Sequence, residues 1–227
     1  MPVACPSTRR LTRALAIGAA LSVLGLGLLP VDGAAFSFSP SRGCYLVGQP
    51  VALRGIGFAP SVPYAVSIDG VYFGLSRTNA AGAFASTLRP GGLGAGEVQA
   101  VDRIQATDGT STERTSFTLT RAPGGRILAS GGDPRTVRAP LEVWGFARDG
   151  RPRTVYLHYL TPAGHPRATY ALGETGGQCG FLRTSRRRVF PFPPSVGDWT
   201  FQFDTRPRFS PHPRGPVARI HVLLARG

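Results

Sequence analysis

The stretch "PVALRGIGFAPSVPYAVSIDGVYFG", Pro50 to Gly74, decides the fold. Its first eleven residues read as an alternating strand that ends in Gly-Phe. A second strand follows, and "IDGVYF" turns it back, because glycine accepts the positive φ that a two-residue hairpin requires. "ATDGTS" gives the same signal at Asp108-Gly109. Further on, Trp199, Phe201 and Phe203 alternate with Thr200, Gln202 and Asp204. Ala218, Ile220, Val222 and Leu224 alternate with Arg219, His221 and Leu223, the last an exception. Period-two alternation places these side chains on opposite faces of strands. With 30 glycines, 21 prolines and no sustained helical periodicity after residue 30, the chain is expected to be all-β.

The plan runs twice. "PVALRGIGFAP", "TNAAGAFASTL", "GGLGAGEVQAV" and "RTSFTLT" are matched in order by "PLEVWGFARDG", "GGQCGFLRT", "PPSVGDWTFQF" and "VARIHVLLA". Gly57-Phe58 corresponds to Gly145-Phe146, Gly82 and Phe84 to Gly180 and Phe181, and Gly96-Glu97 to Gly197-Asp198. About six or seven short strands in each stretch of roughly 90 residues is the density of a β-sandwich. Two sandwich domains are expected, 36–122 and 126–227, with a linker around "RAPGGR" (121–126).

The first half resembles the bacterial immunoglobulin-like repeats, of the TIG type, found in secreted and surface proteins of actinobacterial kind. Gly55, Gly57 and Phe58 carry that resemblance over residues 45 to 120. The second half departs from the pattern at Trp144 and has longer loops. The resemblance implies two tandem immunoglobulin-like sandwiches and is nearly silent on function, since such domains serve as spacers, adhesive modules and carbohydrate-binding appendages alike.

Residues 1–35 read as a signal peptide. Arg9, Arg10 and Arg13 precede the uncharged run Ala14 to Leu29, and small residues follow before Phe36. The run is shorter than the roughly 20 residues of a spanning helix, so no membrane span is expected after leader removal; an uncleaved anchor is the alternative. Secretion leaves Cys44 and Cys179 in an oxidising compartment, either bridged or as two separate buried thiols. A bridge closing so long a loop is worth about 4 to 5 kcal/mol in the chain-entropy model.

All 26 basic residues are arginine, a bias that fits a genome rich in G and C. The distribution is more telling. Residues 36–125 hold 7 arginines and 5 acids, whereas residues 126–227 hold 16 arginines and 6 acids. Most of the positive excess therefore lies in the second half, where it favours polyanions with an affinity that falls as salt rises. The candidate contact residues are Arg186, Arg187, Arg188, Phe190 and Phe192 in "SRRRVFPFPPSV", and Arg206 and Arg208 in "TRPRFSPHPRGP". The bland alternative is that the arginines are solvated while Phe190 and Phe192 cover one end of a sandwich. The expected partners of an exported cationic surface are anionic envelope polymers or lipid headgroups. Nucleic acid is disfavoured, because export separates the chain from the genome and no nucleic-acid motif is present.

No catalytic motif is found. A Ser-His-Asp set can be assembled from Ser185, His158 and Asp204, yet no G-x-S-x-G elbow pins the nucleophile. His158, His165 and Cys179 match no zinc spacing, and Asp69, Asp102 and Asp108 lack a clustered calcium loop, so no metal or cofactor is expected. The sequence therefore points to a non-enzymatic secreted or envelope-associated binding protein. A ligand-free structural spacer and a hydrolase with an unrecognised site in the second half are the alternatives.

Overall fold

The alternating segments become paired strands in the computed structural model, which describes residues 36–129 and 131–226. The expected leader, 1–35, lies outside the described residues. The first half contains β1 (Ser37–Pro40), β2 (Cys44–Leu46), β3 (Val51–Ile56), β4 (Pro63–Ile68), β5 (Val71–Arg77), β6 (Phe84–Leu88), β7 (Gln99–Thr107) and β8 (Thr112–Thr120). These form two sheets, β1-β3-β6 and β2-β8-β7-β4-β5. Leu53 and Phe84 of the first sheet meet Tyr45, Ile104 and Phe117 of the second in one apolar cluster. That is a β-sandwich.

The second half contains β9 (Gly124–Ile127), β10 (Arg138–Ala139), β11 (Leu141–Trp144), β12 (Thr154–Leu160), β13 (Pro166–Glu174), β14 (Leu182–Arg183), β15 (Arg187–Arg188), β16 (Gly197–Asp204) and β17 (Ala218–Leu224). The sheet β14-β11-β9 and the ribbon β10-β15 face the larger sheet β13-β12-β16-β17. Leu141 and Val143 pack against Leu157, Phe201 and Phe203 in a second cluster. Among the described residues the chain is all-β, and no helix is long and apolar enough to cross a membrane.

Two glycines that correspond in the sequence have matching local geometry in the two halves. Gly82 and Gly180 both have positive φ, at 68° and 69°. A Cβ on Gly82 would strike the Phe58 carbonyl oxygen, and one on Gly180 would strike the Ala147 amide nitrogen. Each glycine also bonds the phenylalanine of its Gly-Phe: Phe58 N donates to Gly82 O at 3.0 Å and Phe146 N to Gly180 O at 3.4 Å. Only glycine allows that approach with that φ. Phe58 and Phe146 are thereby locked into the two cores.

The described residues form one compact unit that holds both clusters. Within the segment expected as a linker, 121–126, β9 begins at Gly124. Only Arg121 to Pro123 separate β8 from β9. Cys44 and Cys179 are bridged, 135 positions apart with Cα atoms 5.2 Å apart, and both are buried. Trp144 Nε1 donates to Ala122 O at 3.0 Å, and Arg126 Nη1 to Gly96 O at 3.2 Å. The two halves are thus held by a covalent bridge and by hydrogen bonds as well as by the chain.

Strand direction gives the second half two ends. Tyr156 pairs with Asp204 and Leu160 with Thr200, so the turn after β12 lies at the Gly197 end of β16. Leu224 pairs with Gly197 at that same end. Gly124 pairs with Trp144, and a Cβ on neighbouring Gly125 would meet the Phe203 ring, which places the connection from the first half at the Asp204 end. The Gly197 end is therefore distal and the Asp204 end is the junction. Seven steps along β16 separate them, roughly 23 Å at about 3.3 Å per residue.

Candidate functional site

The basic run Arg186 to Arg188 is held by a two-stranded ribbon at the distal end. Arg188 pairs with Arg138 and Arg187 with Ala139. Val189 N donates to Val137 O, which seats the ribbon against the core. Arg186 and Arg188 are exposed, Arg187 is half-buried, and the Arg186 guanidinium leans on Arg138 O at 3.3 Å. Arg138 and Arg188 are like charges placed directly across a strand pair, an arrangement that disfavours the fold.

Among the described residues, four of the six acids of the second half are paired away from the ribbon. Glu142 takes Arg126 and Arg183, Asp133 takes Arg135, Asp149 takes Arg153, and Asp198 takes His221. Four of the sixteen arginines in this half therefore have carboxylate partners among the described residues, and Arg138, Arg186, Arg187 and Arg188 do not. A net positive tip remains.

The two phenylalanines beside the run differ. Phe190 is 1% exposed, with its ring against Trp199, Phe201 and Tyr159. It is a core residue and offers no face to a ligand, which corrects its place among the contact residues. Phe192 is half-buried over Tyr159 and Trp199, and the Arg167 guanidinium sits 5.7 Å from its ring centroid. Tyr159 donates its hydroxyl to Val189 O at 3.0 Å, and burial pushes that phenol well above its ordinary value.

Arg206 and Arg208 do not join this tip. They leave β16 at Asp204, the junction end, so the two basic loops attach at opposite ends of one strand. Their loop instead folds back over the outer face of β12 and β16. Gln202 Nε2 donates to Ser210 O at 2.9 Å, and Arg219 Nη2 donates to Pro211 O at 2.6 Å. Arg219 Nε donates to Gln202 Oε1 at 2.8 Å, while Phe209 lies edge-on to His158.

That cover buries a polar network which alternation alone places on an outer face. His158, Gln202 and Asp204 are at most 1% exposed. Asp204 faces His158 Nε2 at 3.2 Å and accepts from Gln202 Nε2 and the Arg206 amide, each at 2.8 Å. His158 Nδ1 lies 2.8 Å from Oγ1 of Thr169, an exposed residue on the edge strand β13. The imidazole and carboxylate considered for a Ser-His-Asp set do meet, but the hydroxyl is that of Thr169. Ser185 lies between β14 and β15, in the opposite layer. The cross-strand pairing His158↔Thr169 was the missing signal, and it exists only once register is fixed.

The remaining candidates serve local structure. Asp108 accepts from the amides of Ala59, Thr110 and Ser111, and these bonds hold its carboxyl well below the usual range. Asp69 sits at the β4–β5 turn with φ 46° and accepts from Arg103 N. His165 is exposed in the β12–β13 turn. Among the described residues no group of three His, Cys, Asp or Glu side chains is placed to hold a metal. The larger clefts are lined by residues other than His158 and His165.

No protein-family model matches the chain, and no curated protein matches it. Solved structures resemble it distantly. The human OSCAR ligand-binding domain is 11% identical with a TM-score of 0.33, covering 83% of this chain and 97% of that one. The Parabacteroides merdae β-glucuronidase is 10% identical with a TM-score of 0.25, covering 83% of this chain and 25% of that one. Escherichia coli α2-macroglobulin activated by porcine elastase is 15% identical with a TM-score of 0.31, covering 82% and 19%. Scores this low leave function to be read from the chain's own residues.

Proposed function

We propose that this chain is an exported, non-enzymatic protein of two tandem immunoglobulin-like sandwiches, whose second domain presents a cationic tip to anionic envelope material. The observation that carries this reading is the ribbon in which Arg138 opposes Arg188 beside Arg186 and Arg187, with no carboxylate reaching any of the four among the described residues. A fold under no other demand has little reason to keep like charges across a strand pair, and a polyanion offsets their repulsion. The disulfide fits an oxidising compartment. It also joins the domains into a mount that holds the tip away from the first sandwich.

The experiment is retention on anionic lipid vesicles and on cell-wall material, across a salt series, for the full chain and for the triple variant Arg186→Ala, Arg187→Ala, Arg188→Ala. Retention that falls with salt and is lost in the variant supports the reading. Equal retention of both proteins at all salts removes it in favour of a ligand-free spacer.

A second reading, hydrolysis, has one observation in its favour: the hydroxyl–imidazole–carboxylate chain Thr169–His158–Asp204. Its components match the roles of a nucleophile, a base and an orienting acid. Covalent labelling of Thr169 by a fluorophosphonate, abolished by His158→Ala, would establish it. The buried imidazole favours the first reading, as do the nearby clefts, which are lined by residues other than His158.

A further inference from the structure

We infer a second anion site at the junction end, in the cleft between loops 145–153 and 205–217, for a monosaccharide-sized ligand that carries a carboxylate or a phosphate. The cleft has a volume of 640 Å³, and Arg148, Arg153, Arg214, Pro123, Pro216 and Val217 are among its walls. Three guanidinium-bearing residues from two different loops converge on it, with Asp149 as the acid among them. Asp149 is taken by Arg153, Nη2 to Oδ2 at 2.7 Å, and is bound by the Arg151 amide as well. Arg148 and Arg214 have no carboxylate partner among the described residues.

Both walls are held by hydrogen bonds. Arg153 N donates to Thr175 Oγ1 at 3.1 Å, and Thr175 N returns a bond to Arg153 O at 3.0 Å. Thr175 itself is 2% exposed. The opposite wall is tied down through Ser210 O and Pro211 O to Gln202 and Arg219. Arginines carried on held backbone lose less freedom on binding than those of a loose loop. A guanidinium fork matches two oxygens of a carboxylate or phosphate, which makes an oxyanion the chemistry of choice. The volume falls within the range of small-molecule sites, about 300 to 1,000 Å³, and so admits more than a bare ion. Pro123, Pro216 and Val217 supply an apolar wall for the C–H face of a sugar ring.

This site is independent of the distal tip, and the test keeps them apart. Calorimetric titration of the full chain would use galacturonate, glucose 6-phosphate, inorganic phosphate and neutral glucose. The expected result is saturable one-to-one binding of at least one sugar anion, weaker binding of inorganic phosphate, and none of glucose. The double variant Arg148→Ala, Arg214→Ala should weaken it about tenfold or more, as loss of charge-assisted bonds implies. The Arg186→Ala, Arg188→Ala variant should bind as the parent does. Arg148→Lys, Arg214→Lys keeps the charge and the fold while removing the fork, and should weaken binding too. Unchanged affinity in both junction variants, equal binding of glucose, or no saturable binding of either sugar anion overturns the site. Which sugar anion binds more tightly assigns carboxylate or phosphate.

Discussion

Arg188 lies directly across the β10–β15 ribbon from Arg138, and no carboxylate among the described residues reaches either one. Stability and binding should therefore respond to this pair in opposite directions. Arg188→Glu converts a repulsive cross-strand pair into an attractive one, worth on the order of 0.2 to 1 kcal/mol. The urea midpoint should rise while retention on anionic vesicles falls. A variant that loses stability, or keeps full retention, would contradict the role given to the ribbon.

The buried Cys44–Cys179 bridge closes a loop of 135 positions. Cys44→Ala, Cys179→Ala should lower unfolding stability by about 4 kcal/mol, mainly through the freer unfolded chain. Denaturant titrations of parent and variant measure the loss.

Gly82 and Gly180 should be the least replaceable turn residues. Alanine at either meets backbone atoms at a positive φ, and each substitution should cost more than about 1 kcal/mol. Gly91, with nothing within 4 Å of an added Cβ, should accept alanine with little change in melting temperature.

Asp204→Ala removes the acceptor of the Gln202 side chain and the Arg206 amide and leaves His158 without its carboxylate. Leaving buried hydrogen-bonding groups without a partner costs about 1 to 3 kcal/mol each. The covering loop should loosen with it, so trypsin should cut after Arg208 faster in the variant than in the parent. Equal cutting rates would show that the loop is held without the network.

Asp108 bears on acid stability. Three backbone donors depress its folded-state pKa, so its contribution is present above the ordinary carboxylate value and is lost as pH falls toward the folded value. The stability gap between parent and Asp108→Asn should be largest near neutrality and shrink from about pH 4 downward. A gap that grows with acid would reverse the sign of the argument.

The strands were legible because their signals are local. Gly-Phe pairs, Asp-Gly turns and period-two alternation around Phe201 and Phe203 each act within a few residues, and the structure places those segments in sheets as expected. The candidate site was only partly legible. Alternation put Gln202 and Asp204 on the outer face, yet could not show that the loop after them folds back and removes that face from water. Whether the two basic loops form one patch could not be read from the sequence, because it depends on β16, which runs between them and carries them to opposite ends. Phe190 read either as a ligand-contacting loop aromatic or as cover for one end of a sandwich, and its ring packs against Tyr159, Trp199 and Phe201 on two other strands.

By itself the amino-acid sequence determined the all-β character, the positions of the turns and the half of the chain that carries the charge. Each of these is set by backbone stereochemistry and side-chain type within a short segment. Tertiary structure alone decided that the two cysteines meet, that Thr169 reaches His158, that Phe190 is core and that Arg188 faces Arg138. Those outcomes depend on strand register and direction, which arise from contacts between residues far apart in the chain.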